Sequence, residues 1–220
     1  MKHKENELQA LKEDVTQMWK LVLSQLEKAQ QAFLYQDAKM AEEIVGREKR
    51  VDAFELKIDC DCENYIALYN PVAIDLRLVL SLIKISNTLE RIGDFCEGIA
   101  YHVFDKDCPT LERKIVEELQ IESLFDILVS MLADSFVALV SENTDTSEKI
   151  LSKERDVDAI YRNAIDVLDN YLHQNPAAIR CGLKTVLFIR KLKRIGDHCA
   201  NLVEEIVFYI DAKVLKHGNI

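Results

Sequence analysis

The chain is short of turn material: 3 of its 220 residues are proline and 6 are glycine, too few to punctuate the many short strands of a sandwich or barrel. It also lacks a long uninterrupted apolar run. The most apolar stretch, Leu124 to Val140, is broken by Asp126 and Asp134. Met1 to Asp14 is charged and amphipathic, without the apolar segment of an export signal. Neither a transmembrane segment nor export is expected. The 6 cysteines (Cys60, Cys62, Cys96, Cys108, Cys181 and Cys199) include no Cys-x-x-Cys pair, and without a secretory signal they read as reduced thiols rather than a disulfide scaffold. Basic charge is in deficit too. With a formal charge of −10 and a pI near 5.1, a surface for nucleic acid would have to be built against the field of the whole molecule, so nucleic acid is not an expected partner.

What remains is 49% hydrophobic and 30% charged, a balance suited to long helices. Leu8, Leu11, Val15, Met18, Val22, Ala29 and Phe33 recur at steps of three and four, the stripe of a core-facing helix over about residues 5–35. A second periodic run covers about 37–68 and stops at Asn70-Pro71, where Asn can cap the next helix and Pro suits its first turn. The third helix runs to about 104. The stretch 105–110, with Pro109, reads as a junction, followed by helices over about 111–141 and to about 173. Asn175-Pro176 then opens a sixth, continuing to about 216.

The halves repeat. Leu89-Glu90-Arg91-Ile92-Gly93-Asp94-Phe95-Cys96-Glu97-Gly98-Ile99-Ala100 lies over Leu192 to Val203 at an offset of 103 (192 minus 89), with six of twelve positions identical. Asn70-Pro71 lies over Asn175-Pro176 at an offset of 105, and Glu48/Asp52 over Glu154/Asp158 at 106. The fold expected is all-α: six long antiparallel helices forming two tandem homologous three-helix bundles, residues 1–107 and 108–220, joined for instance end to end.

Residues four apart share a helix face, so Glu48/Asp52, Glu90/Asp94 and Glu154/Asp158 each bring two carboxylates together. Like charges at that spacing repel weakly, and a bridging divalent cation reverses the sign. Glu55 and Asp59 extend the stripe on the second helix, and Glu97 extends it on the third. An oxygen-rich set with no fixed His suits hard or borderline ions such as Mg, Mn, Fe or Zn without choosing among them. Gly93 and Gly196 stand just before the motif aspartates inside helices, where glycine costs about 1 kcal/mol relative to alanine, so a geometric need, a close helix approach or access for a ligand, is expected to offset it. In the second half Lys193 replaces Glu90, poised to repel a cation or pair with Asp197, and Asn201 offers a neutral oxygen instead. The candidate metal ligands are therefore Glu48, Asp52, Glu90, Asp94, Glu154 and Asp158, then Asp197 and Asn201, with the fuller set in the first half. His198 reads as a packed or surface residue beside Asp197, Cys96 and Cys199 as packing, Arg77 and Arg180 as salt-bridge partners, and Trp19 as a partly buried anchor.

The strings Asn70-Pro71-Val72-Ala73-Ile74-Asp75-Leu76-Arg77 and Leu89-Glu90-Arg91-Ile92-Gly93-Asp94, with Arg194-Ile195-Gly196-Asp197-His198 and Asn201 in the second half, closely resemble the PhoU family signature. Arg180-Cys181-Gly182 departs from its Asp-Leu-Arg pattern, and Lys193 departs from its acidic one. The resemblance implies a pair of three-helix bundles, often a homodimer, holding multinuclear metal clusters in some members. It also implies a cytoplasmic, non-enzymatic negative regulator that works beneath a phosphate ABC transporter and its sensor histidine kinase, meeting the membrane only through those partners. No catalytic residue is expected, since no nucleophile-base pair or phosphate loop occurs. The competing readings are a carboxylate-bridged di-iron oxidase, disfavoured because no Glu-x-x-His occurs, and a metal-free helical adaptor.

Overall fold

The computed structural model describes residues 2–105 and 113–215. Among them are helices α1 (Lys2–Tyr35), α2 (Ala38–Tyr69), α3 (Ala73–Phe104), α4 (Arg113–Glu118), α5 (Ile121–Ser141), α6 (Ser147–Gln174) and α7 (Ile179–Asp211), with a 3-10 turn at Pro176–Ala178. The expected all-α class holds. The proposed junction around Pro109, Cys108 and the division at 107/108 lie outside the described residues.

The apolar stripe of α1 is buried as its spacing requires: Leu11, Val15, Met18, Val22 and Ala29 are all 3% exposed or less. The second helix stops at Asn70 as expected, while the role of Asn70 and the boundaries at Gln120, Pro176 and Ala212 differ from expectation. Asn70 ends α2 instead of starting α3. It sits in the left-handed region, φ 42°, and donates its N–H to the Ile66 carbonyl, a conformation Asn tolerates better than most residues. The helix expected over 111–141 is broken where Gln120 turns left-handed, φ 53°. This splits α4 from α5. At the other end Pro176 opens only the 3-10 turn, and α7 stops at Asp211 because Ala212 is left-handed, φ 56°.

Helices α1, α2 and α3 pack as one three-helix bundle, and α5, α6 and α7 as a second. The two lie side by side, not end to end, because α3 runs antiparallel along α7 and α1 antiparallel along α5. On the first seam Arg77 Nε donates to the Tyr209 carbonyl at 3.3 Å, Ser81 Oγ to the Glu205 carbonyl at 3.3 Å, and Lys191 Nζ to the Gly98 carbonyl at 2.8 Å. On the second, the fully buried Trp19 donates Nε1–H to the Leu132 carbonyl at 3.1 Å. Phe33 of α1 stacks on Phe188 of α7 at 4.3 Å. Apolar faces from both bundles thus merge into one continuous core.

Helix α5 is the one described helix long and apolar enough to cross a membrane by length and composition. Here its face of Leu124, Phe125, Leu128, Met131 and Leu132 is spent on that core, consistent with the aspartates that interrupt it.

Candidate functional site

The first acidic group lies along the groove between α2 and α3. Glu48 is only 6% exposed and reaches from α2 toward α3. Gln25 of α1, itself fully buried, donates Nε2–H to Glu48 Oε2 at 3.2 Å, while Glu48 Oε1 and Gln25 Oε1 have no hydrogen-bond partner. Gly93 supplies the close approach. A Cβ there would stand 3.1 Å from Glu48 Oε1 and 3.3 Å from Val51 Cγ1, so the helical cost of glycine leaves room for the carboxylate. Gly196 is equivalent in backbone but not in chemistry: its added Cβ would meet Val157 Cγ1 at 3.0 Å.

Burial pushes the Glu48 carboxyl up to about 7. The bond from Gln25 opposes that rise, and the charges of Asp94, Asp52 and Glu97 add to it. Glu90 on α3 is likewise raised to about 7, first by burial and then by Asp94, with Arg91 opposing and Glu55 adding. Its Oε2 accepts no hydrogen bond, and Arg91 Nε at 3.4 Å is a charge contact only. Arg91 also donates to Asp94 Oδ2 at 3.2 Å, Asn87 to Glu55 Oε1 at 2.9 Å, and Ser86 to Asp59 Oδ1 at 3.5 Å. Buried Glu48 and half-buried Glu90 each carry an oxygen without a hydrogen bond and are repelled by neighbouring carboxylates, the chemistry of a donor set that a hard cation would satisfy. Glu48, Asp52, Glu90 and Asp94 are the residues that would hold it.

The second group is smaller and tighter. Ligand atoms of Glu154, Asp158 and Asp197 lie within 4.8 Å of one another, the convergence found among the described residues. The first half therefore has more carboxylates but does not gather them as closely. A counter-charge explains the difference: Lys193 Nζ stands 2.5 Å from Asp197 Oδ1 and 3.3 Å from Asp158 Oδ1, drawing the two helices' acids together. Glu154 is held above the usual carboxylate range by burial and then Asp158, with Lys193 opposing. Asn201 stands exposed one turn further along α7.

The remaining candidates sort by packing. The His198 ring lies 5.7 Å from that of Phe95, its counterpart in the repeat, so the two meet where the halves join. Burial holds the imidazole below its ordinary value, with Arg194 adding to that. Cys96 and Cys199 are fully buried thiols; burial pushes Cys199 up to about 12 and raises Cys96 further. Arg77 serves the α3/α7 seam, not the acids. Gln25 was not among the candidates. Its signal is a polar residue on the buried stripe between Val22 and Ala29.

Compared with known proteins, the chain matches the family described as the PhoU domain twice, over residues 15–103 and 121–206. It is 33% identical to the phosphate-specific transport system accessory protein PhoU of Edwardsiella tarda over 216 residues, covering 96% of this chain and 86% of that protein. It is 31% identical to the PhoU homolog of Aquifex aeolicus, covering 97% and 96%. Among solved structures, PhoU from Pseudomonas aeruginosa superposes with a TM-score of 0.89 at 25% identity, covering 95% of this chain and 99% of that one. The phosphate transport system regulatory protein PhoU from Streptococcus pneumoniae gives 0.85 at 26%, covering 97% and 99%.

Proposed function

The chain belongs to the PhoU family, and from that premise we propose that it is a non-enzymatic negative regulator of phosphate uptake and phosphate-starvation signalling. It acts by contact with the ATPase subunit of a phosphate ABC transporter and with a sensor histidine kinase. The observation that carries this reading is the double family match over both halves, with full-length relatives named as accessory proteins of phosphate-specific transport. On this reading the chain works in the cytoplasm as a homodimer and reaches the membrane through its partners.

A divalent or trivalent ion (Fe, Mn, Mg or Zn) in the first acidic group would supply the counter-charge that Glu48 lacks and add to the one Arg91 gives Glu90, fixing α2 against α3. The orphan oxygens Glu48 Oε1 and Glu90 Oε2 support this. The chain's own residues do the rest: Gln25 orients Glu48, and Gly93 keeps the groove open.

Deleting the gene tests the regulatory reading. Alkaline phosphatase and phosphate uptake should rise in cells grown with abundant phosphate and return to repressed levels on complementation. Unchanged repression in the deletion strain would end this reading.

A further inference from the structure

The second acidic group is a repeat of the first in position only. Carrying α3 onto α7 by 103 residues puts Lys193 at Glu90, Asp197 at Asp94 and Ala200 at Glu97. Carrying α2 onto α6 by 106 keeps Glu154 and Asp158 but puts Tyr161 at Glu55 and Ile165 at Asp59. Four of the first half's acids thus have no acidic counterpart, and one of those four is replaced by a cation.

That cation is seated among the three carboxylates that remain. At 2.5 and 3.3 Å from oxygens on two different helices, the Lys193 ammonium occupies the space where an ion bound by Asp158 and Asp197 would have to sit, since hard cations take such oxygens at about 2.0–2.6 Å. The ammonium is well covered, with its side chain 25% exposed. Burial alone would lower its proton affinity, but Asp197 and then Asp158 outweigh burial and hold it above the ordinary lysine value. Asp158 Oδ1 is buried with no aimed hydrogen bond, so what it receives from Lys193 is charge.

We propose that Lys193 is a tethered counter-cation that closes the second acidic group to metal ions, so that metal binding by this chain is confined to its first half. The closure stands on the geometry of Lys193 alone; the confinement rests also on the metal reading of the first group.

Calorimetric titration of the full-length, chelator-stripped protein with Mn2+ tests both. Asp197→Asn in the otherwise native chain should leave the Mn2+ stoichiometry unchanged and the affinity within twofold. Lys193→Glu, which restores the acid of the first repeat, should add one Mn2+ per chain, and that added site should vanish when Asp197→Asn is combined with it. Should the glutamate variant fail to fold, Lys193→Gln removes the charge at similar length. It should lower the thermal midpoint in EDTA, with Mn2+ restoring it. A loss of Mn2+ from the native chain on Asp197→Asn would overturn the closure, as would a Lys193→Glu chain that folds and gains no ion. If the native chain binds no Mn2+ while Lys193→Glu binds one, closure stands and the metal reading of the first half fails.

Discussion

Replacing Glu48 with glutamine should stabilise the ion-free protein at alkaline pH, the reverse of what removing a buried charged partner usually does. The carboxyl has a reference value of 4.5 and is raised to about 7 in the fold, so the folded chain holds this proton more tightly than the unfolded chain does. Its contribution to stability is then greatest below 4.5 and is lost as pH rises toward 7. A displacement of about 2.5 units at about 1.36 kcal/mol each sets an upper bound of about 3 kcal/mol lost by pH 8. Glutamine keeps the shape and removes the charge, and the unpaired Gln25 Oε1 is ready to accept from the new amide once the Gln25 amide turns over. In EDTA at pH 8, Glu48→Gln should gain about 1–3 kcal/mol in urea denaturation. That corresponds to about 2–4 °C per kcal/mol for a chain of this size. At pH 5 the two proteins should agree within about 1 kcal/mol. Added Mn2+ should stabilise the native chain more than the variant. A variant less stable than the native protein at pH 8, with the same pH slope, would refute the assignment of Glu48 as a carboxylate lacking its counter-charge.

Three further substitutions separate the seam from the groove. Trp19→Phe removes the donor to the Leu132 carbonyl and leaves unfilled volume between the bundles; it should cost about 1–3 kcal/mol in denaturation followed by circular dichroism, with no change in Mn2+ binding. Gly93→Ala gains about 1 kcal/mol of helix propensity, but its Cβ meets Glu48 Oε1 at 3.1 Å and Val51 Cγ1 at 3.3 Å. Net stability should therefore move by less than about 1 kcal/mol while Mn2+ affinity in calorimetry falls at least tenfold. Gly196→Ala, facing Val157 instead, should leave that affinity unchanged.

The helices were legible because burial on one face leaves a period in the sequence, and the repeat was legible because six of twelve residues coincide in Leu89 to Ala100 and its copy. How the halves meet was not legible. Periodicity says that Trp19 and Phe33 face something apolar; it does not say that they face α5 and α7 across a second bundle, which is why a partly buried Trp19 proved fully buried. The stop at Asn70 was legible, but its left-handed turn and the break at Gln120 were not, for a related reason. A single left-handed residue decides where a helix stops, and neither is the glycine that usually announces one. In the site, spacing placed Glu90 with Asp94 and Lys193 with Asp197 correctly, since both pairs lie on one helix. It was silent on Gln25 and on the reach of Lys193 to Asp158, because those contacts cross between helices.

Within this chain, the two halves share packing residues and several acids alike, and the exchange with the largest consequence for an ion is one of charge, Glu90 for Lys193. Gly93 and Gly196 agree because each lets a helix approach a valine, Val51 or Val157, and Cys96 and Cys199 agree because each fills the core where the bundles join. Glu90 and Lys193 are half-buried, where both burial and their neighbours' charges act on them. Exchanging one for the other leaves the α3 and α7 backbones and their buried faces as they were. A short string such as Arg-Ile-Gly-Asp therefore reports the scaffold more reliably than the ion chemistry. On the proposed reading, whether a given copy takes a cation turns on the residue preceding that string, an acid at 90 and an ammonium at 193.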